Sequence, residues 1–128
     1  MTEAAYPTRW FKTGDYVFRE GEHANRAFLI KSGSVGVLKK TEVGEEAIAT
    51  HRKGAIFGEM ALIDNKPRSA SVMCKEPTEL VIIDRNDLED RFGKTDPVVL
   101  RLISTLTKRL REQSEHIAKM KAENSKLQ

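Results

Sequence analysis

The sequence has 128 residues, of which 39% are hydrophobic and 32% charged, and this balance predicts one globular domain with a hydrophobic core. It contains no apolar run of about 18 residues and no apolar signal core near its start, so we expect neither a membrane span nor a secretory leader. The single cysteine, Cys74, excludes an internal disulfide and iron–sulfur clusters, and predicts a buried thiol in a cytoplasmic protein.

The net charge of +3 is small, and basic residues are in excess towards the carboxyl end. From Lys94 onward there are eight lysines and arginines against four aspartates and glutamates. A basic helix can bind nucleic acid or a membrane surface, but acidic residues are interleaved here and no aromatic residue follows Phe92. We therefore expect a solvated helix face without direct contact to nucleic acid or membrane.

Short apolar runs separated by turn residues fill the chain from residue 12 to residue 84. Runs this short, about 8–12 residues apart, predict the strands of a sandwich or barrel. Before them, Tyr6 and Pro7 argue against a long helix, and we expect Trp10 and Phe11 to close one end of the core. The predicted strands are residues 16–19, 27–30, 35–39, 47–50, 56–57, 69–75 and 80–83.

Residues 57–72 bring together groups that suit a small anionic ligand. Gly58 has no Cβ, which lets the backbone approach a ligand closely. Residues 60–63 fit a short helical turn, whose first N–H groups have no partner within the turn and lie at its positive end. Glu59 accepts hydrogen bonds and suits a sugar hydroxyl.

A loop with a proline separates this turn from a strand that Arg68 opens. The planar guanidinium of Arg68 can hold two phosphate oxygens, and alternation places Ala70, Val72 and Cys74 on the same face of the strand. Together with the turn, this arrangement predicts one ligand that carries both a sugar and a phosphate. The alternative is an ordinary β-domain in which Glu59 and Arg68 form a surface ion pair.

The motifs Phe-Gly-Glu, Ala-Leu and Pro-Arg-x-Ala-x-Val within residues 57–72 closely resemble the phosphate-binding cassette of cyclic-nucleotide-binding domains. These domains occur in catabolite activator proteins, protein kinase A regulatory subunits and cyclic-nucleotide-gated channels. The resemblance extends from about Phe11 to Phe92, because four turn glycines also match the family pattern. It implies an eight-stranded antiparallel jelly roll holding a short phosphate-binding helix, in a regulatory module that is not an enzyme.

The resemblance also implies a cyclic nucleotide as ligand, without a metal. The cyclic phosphate would lie against Arg68, Ser69 and the first N–H groups of the turn, notably that of Ala61, and Glu59 would bind the ribose 2′-hydroxyl. Ser69 permits cyclic GMP without requiring it, and we expect cyclic AMP first. The predicted ligand-binding residues are Phe57, Gly58, Glu59, Met60, Ala61, Arg68, Ser69, Ala70, Val72, Gln113 and Ser114.

Two helices are predicted after the last strand. Asp84 is a good N-cap for a short helix, and Asp96 and Pro97 open a second helix that we expect to run to Asn124. We therefore divide the chain into residues 1–93, the β-roll with its short helix, and residues 94–128, a long helix of the same unit.

The long helix carries a heptad repeat that predicts a parallel homodimer. Asn124 within the seam is typical of residues that fix the register of paired helices. The alternative is one helix docked on the barrel, which suits Val98, Leu100 and Leu102 at its start but not its second half. The seam consists of Val99, Ile103, Leu106, Leu110, Gln113, Ile117, Met120, Asn124 and Leu127.

Residues 109–115 resemble the central helix of the catabolite activator family. On that alignment Gln113 and Ser114 fall where polar groups reach the base, one of them from the partner subunit. The alternative for Gln113 is a polar seam residue that only sets register. If Gln113 does both, ligand binding should reorder the segment from about Leu110 to Asn124.

Other function classes find less support in the sequence. No helix-turn-helix follows the long helix, so we expect no DNA binding. The chain is expected to be either a free-standing sensor or a regulatory fragment of a channel, kinase or transcription regulator. In either case its protein partner is unknown. The histidines His23, His51 and His116 lack metal-ligand spacing, and no nucleophile motif occurs. A degenerate module that only dimerises is a further alternative, against which the presence of Glu59 and Arg68 argues.

Overall fold

The computed structural model describes residues 6–62, 66–92 and 97–127. Within these ranges the strands are β1 Thr8–Phe11, β2 Tyr16–Phe18, β3 Arg26–Ser32, β4 Ser34–Thr41, β5 Gly44–Arg52, β6 Ile56–Phe57, β7 Ser71–Cys74 and β8 Thr78–Asp84. A 3-10 helix, Glu59–Leu62, follows β6, and two α-helices, α1 Arg85–Phe92 and α2 Pro97–Leu127, follow β8. The coarse prediction of a mainly β protein with antiparallel sheets and a carboxyl-terminal helix is confirmed.

The strands form two four-stranded antiparallel sheets, in the orders β1-β8-β3-β6 and β2-β7-β4-β5. Their inner faces share one hydrophobic core because side chains alternate between the two sides of each strand. Both sheets contribute to this core, as a jelly roll requires. The core residues are Phe11, Phe28, Ile30, Val35, Phe57, Val72, Cys74 and Leu80.

The first strand places its two large aromatic residues differently. Phe11 is buried in the core, whereas 61% of the surface of Trp10 is exposed. Strand β1 is an edge strand, and neighbouring side chains of a strand point to opposite faces of its sheet. The expectation that Trp10 helps to close the core is therefore wrong, and the expectation for Phe11 is confirmed.

Cys74 is buried within β7, as predicted for a small hydrophobic residue. Burial raises the pKa of its thiol, because the low-polarity core disfavours the thiolate. The side chain therefore belongs to the packing of the core.

The start of helix α1 is tied to both the sheet and the 3-10 helix. A carboxylate oxygen of Asp84 accepts a hydrogen bond from the N–H of Asn86 at 2.9 Å, which is the predicted N-cap. The guanidinium of Arg85 donates to the carbonyl oxygen of Ala61. The chain therefore leaves the barrel beside the segment that carries the predicted phosphate site.

Helix α2 lies along strands β4 and β5 through a face of small and polar side chains. Thr107, Ala118 and Ala122 are buried on this face, and the ammonium of Lys121 donates to the carbonyl oxygen of Ala47 on β5. Small side chains let the helix approach the sheet closely. Docking therefore involves the second half of the helix, contrary to our expectation.

Several apolar residues of α2 remain exposed. Val98 and Leu102, which we expected to suit docking, are exposed, and the side chain of Leu100 lies outside the described residues. The seam residues Leu106 and Met120 are also exposed, on a face other than the docked one. In the described parts of the chain, no helix combines the length and the apolar composition needed to cross a membrane.

Candidate ligand-binding site

A cavity of about 280 Å³ lies between the barrel and helix α2. Its wall draws on the 3-10 helix, the segment before and within β7, the middle of β5 and the centre of α2. All eleven residues of the predicted set line it, although Gln113 and Ser114 are more than 40 positions from the others: Phe57, Gly58, Glu59, Met60, Ala61, Arg68, Ser69, Ala70, Val72, Gln113 and Ser114. Their roles as ligand contacts stay predictions.

Arg68 is the charged group most deeply set in this wall, with only 8% of its surface exposed. Its Nη2 donates to the carbonyl oxygen of Arg26 at 2.8 Å, and its Nη1 donates to that of Gly58 at 3.3 Å. The guanidinium lies over the ring of Phe18, 3.9 Å from the ring centroid. Its Nε is buried and finds no hydrogen-bond partner in the described part of the chain.

Burial lowers the pKa of Arg68 to about 10, an effect that Glu22 opposes and Arg111 reinforces. The guanidinium nevertheless remains protonated at neutral pH. Within residues 6–62, 66–92 and 97–127 it forms no ion pair, so the alternative of a surface pair with Glu59 is not what the structure shows. A buried cation without an ion pair is unfavourable, and an anionic ligand would relieve this cost.

The backbone around Arg68 is held from two sides. The N–H of Gly21 donates to the carbonyl oxygen of Arg68 at 2.9 Å, and the N–H of Arg68 donates to that of Glu22 at 2.9 Å. Lys39, which is buried, donates from its ammonium to the carbonyl oxygen of Ser69. These bonds fix the direction in which β7 begins, so the guanidinium is positioned before any ligand arrives.

The turn opposite Arg68 differs in one respect from our prediction. The N–H of Ala61, the expected phosphate donor, already donates to the carbonyl oxygen of Gly58 at 3.3 Å, because a 3-10 turn closes over three residues. The N–H groups of Glu59 and Met60 have no partner among the described residues. These two, rather than Ala61, are the free donors at this end of the cavity.

Comparison with known proteins establishes what kind of domain contains this cavity. The family model described as "Cyclic nucleotide-binding domain" matches residues 8–94, which is more than half of the chain. The chain belongs to the cyclic nucleotide-binding domain family. The predicted resemblance is thereby confirmed, and the family is one of binding domains rather than catalytic ones.

Relatives of this cyclic nucleotide-binding domain include parts of much longer kinase-related proteins. It is 31% identical over 121 residues to human cGMP-dependent protein kinase 2, covering 92% of this chain and 16% of the kinase. It is 30% identical over 97 residues to the cAMP-dependent protein kinase regulatory subunit of Hypocrea atroviridis, covering 76% of this chain and 20% of that protein. The domain thus spans about a fifth or less of the length of these relatives.

Solved structures of other proteins align with the fold of this chain. The cAMP-bound form of the EAL enzyme Bd1971 aligns with a TM-score of 0.76 and 32% identity, covering 94% of this chain and 33% of that chain. Its cGMP-bound form aligns with a TM-score of 0.74 and 35% identity, covering 82% and 28%. The catabolite activator protein of Thermus thermophilus aligns with a TM-score of 0.69 and 32% identity, covering 90% and 55%.

Sequence reasoning missed part of the cavity wall of this cyclic nucleotide-binding domain. Strand β5 bulges at Ile48, since Val37 pairs with Ala49 and Leu38 with Ala47. The bulge lets two neighbours, Ile48 and Ala49, line the same cavity, which simple alternation does not predict. The wall residues missed are Phe18, Ala24, Val37, Ile48, Ala49, His51, Leu110, Arg111 and Ile117.

The histidines show no sign of a metal site. His51 lines the cavity with its ring parallel to that of Phe57, at 6.5 Å between centroids, and so acts as part of the aromatic wall. Among the residues that the structure describes, no three His, Cys, Asp or Glu side chains lie together in a way that could hold a metal ion.

Proposed function

We propose that this domain binds cyclic AMP in the cavity and regulates a protein partner that is still unidentified. The observation that carries the proposal is the buried, protonated Arg68, which has an unpartnered Nε and lines the same cavity as the carboxylate of Glu59. A cyclic nucleotide has one negative charge and one ribose 2′-hydroxyl. These two groups match a buried cation that forms no ion pair among the described residues and a carboxylate that accepts hydrogen bonds.

In the proposed pose, the cyclic phosphate lies against Arg68, Ser69 and the free N–H groups of the 3-10 turn. Glu59 accepts a hydrogen bond from the ribose 2′-hydroxyl, and Val72 and Ala70 form the wall beside the sugar. The turn needs only its unpaired donors, at Glu59 and Met60, so the bond from Ala61 to Gly58 persists. Each contact comes from a residue that already lines the cavity.

Helix α2 would enclose the base. Gln113 and Ser114 supply polar groups on this side of the cavity, and Leu110 and Ile117 supply apolar surface. Because the helix forms one wall, a nucleotide that binds its docked position better than other positions shifts the helix towards that position. We propose that this shift reorders the segment from about Leu110 to Asn124 and is the signal that the partner protein receives.

Calorimetric titration with cyclic AMP tests the proposal, with cyclic GMP and 5′-AMP as matched ligands. We expect one cyclic AMP per chain and weaker binding of 5′-AMP, which lacks the cyclic phosphate diester. Relatives named for both nucleotides and the hydroxyl of Ser69 make cyclic GMP an acceptable second ligand. A clear preference for cyclic GMP would contradict the base assignment. No binding of either cyclic nucleotide would support the degenerate dimerisation module instead.

Gly58 offers a second, independent check of the pose. A Cβ at this position would lie 2.8 Å from Nη1 of Arg68, and its φ of +71° already favours glycine. We expect Gly58→Ala to displace the guanidinium and weaken cyclic AMP binding by about tenfold or more, measured by the same titration. Gly14→Ala is the matched control, because Gly14 has a φ of +86° but nothing within 4 Å of its added Cβ. Equal affinities for the two variants would count against the pose.

A further inference from the structure

Two arginines line the cavity from different elements of the domain. Arg68 comes from the barrel and Arg111 comes from helix α2. Arg111 is half-buried, whereas Arg109, two positions earlier on the same helix, is exposed and does not line the cavity. The two cationic side chains at the cavity are near enough for Arg111 to reinforce the lowering of the pKa of Arg68 that burial causes.

Two like charges that share a partly dry cavity repel each other more strongly than they would in water. Arg68 cannot easily retreat, because carbonyl oxygens of Gly58 and Arg26 hold its guanidinium over the ring of Phe18. The repulsion therefore opposes the position of α2 at Arg111. An anion between the two guanidinium groups would change this repulsion into two attractions.

We propose that Arg111 is a second cationic contact for the phosphate of the bound nucleotide, and that the anion held between Arg68 and Arg111 fastens helix α2 to the barrel. This inference rests on the proposed function, because it needs a nucleotide in the cavity. It goes beyond the sequence motifs, since three basic residues, Lys108, Arg109 and Arg111, lie close together on α2 and only the fold shows which one lines the cavity.

A phosphate contact from Arg111 would make the affinity for the nucleotide depend on the position of helix α2. Only a docked α2 brings Arg111 to the phosphate, so the docked state binds the nucleotide more tightly than an undocked state does. Removing the charge of Arg111 should then have two effects of opposite sign. It removes a contact in the bound domain, and it relieves repulsion in the unliganded domain.

The test compares the wild-type domain with Arg111→Gln and with the matched control Arg109→Gln, using cyclic AMP as the probe. By calorimetry we expect Arg111→Gln to lower the affinity by about 10-fold to about 100-fold and Arg109→Gln by no more than about twofold. By hydrogen exchange, cyclic AMP should increase the protection of residues 114–122 in the wild type. In Arg111→Gln these residues should be at least as protected as wild type without ligand, and should gain little on binding.

Arg111→Lys keeps the charge and should retain most of the affinity and most of the gain in protection. The inference is overturned if Arg111→Gln binds as tightly as Arg109→Gln, or if it gains the protection of the wild type on binding. It is also overturned if Arg111→Lys behaves like Arg111→Gln, because the contact would then not depend on charge. A wild-type domain that binds no cyclic AMP would overturn the proposed function together with this inference. Binding by the wild type without the expected effect of Arg111→Gln would overturn this inference alone.

Discussion

Arg68→Ala is expected to weaken the binding of cyclic AMP by about 30-fold to about 1000-fold. The guanidinium would make a charge-assisted contact with the phosphate in a cavity partly closed to water, which contributes roughly 2–4 kcal/mol. Hydrogen bonds to Arg26 and Gly58 and the contact with Phe18 position the group in advance, so little ordering is needed on binding. Calorimetric titration of the variant beside the wild type measures the loss.

The same variant should leave the melting temperature of the unliganded domain nearly unchanged. It loses two hydrogen bonds and the contact with Phe18, but it also removes a buried charge that forms no ion pair in the described part of the chain. Arg52→Ala is the matched control, because Arg52 is exposed at the end of β5 and does not line the cavity. If Arg68→Ala binds cyclic AMP as tightly as Arg52→Ala, the proposed pose is wrong.

The second large effect concerns assembly through the seam of helix α2. We expect the wild-type domain to have twice the 14.5 kDa mass of one chain, and Leu106→Glu to have the mass of a single chain at the same concentration. A buried leucine contributes roughly 1.5–3 kcal/mol, and two-fold symmetry places two of them in the interface, so the dissociation constant should rise at least about 100-fold. Light scattering coupled to size exclusion measures both masses.

Ser104→Glu is the matched control for this substitution. Ser104 is exposed on the same turn of α2 but is not a seam position, so the added charge should leave the dimer intact. A wild-type domain that is monomeric at all accessible concentrations would contradict the proposed dimer. It would leave the ligand proposal standing, because every residue of the proposed pose lines a cavity within one chain.

The cassette could be predicted from the sequence because its signals are local. Gly58, Glu59 and Arg68 lie within eleven consecutive positions. Ala70 and Val72 are buried like Arg68, as the predicted alternation requires, although β7 itself begins only at Ser71, which is buried too. The coarse fold could be predicted for the same reason, since turn residues and short apolar runs mark each strand where it occurs.

The remaining features depend on contacts between distant segments. Helix α2 docks through Thr107, Ala118 and Ala122, whose small or polar side chains carry no hydrophobic periodicity, so the apolar pattern indicated only the seam. Arg111 was missed because its neighbours on the helix are equally basic and only docking distinguishes it. Trp10 and Phe11 point to opposite faces of β1, and only the packed fold shows that Phe11 takes the buried face.

A crystal structure of the domain with cyclic AMP tests the central claim most directly, because it shows which groups surround the phosphate. We predict phosphate oxygens within about 3 Å of the guanidinium of Arg68 and of the N–H groups of Glu59 or Met60, with the 2′-hydroxyl on the carboxylate of Glu59. A nucleotide bound elsewhere, or bound in this cavity with its phosphate away from Arg68, would contradict the account.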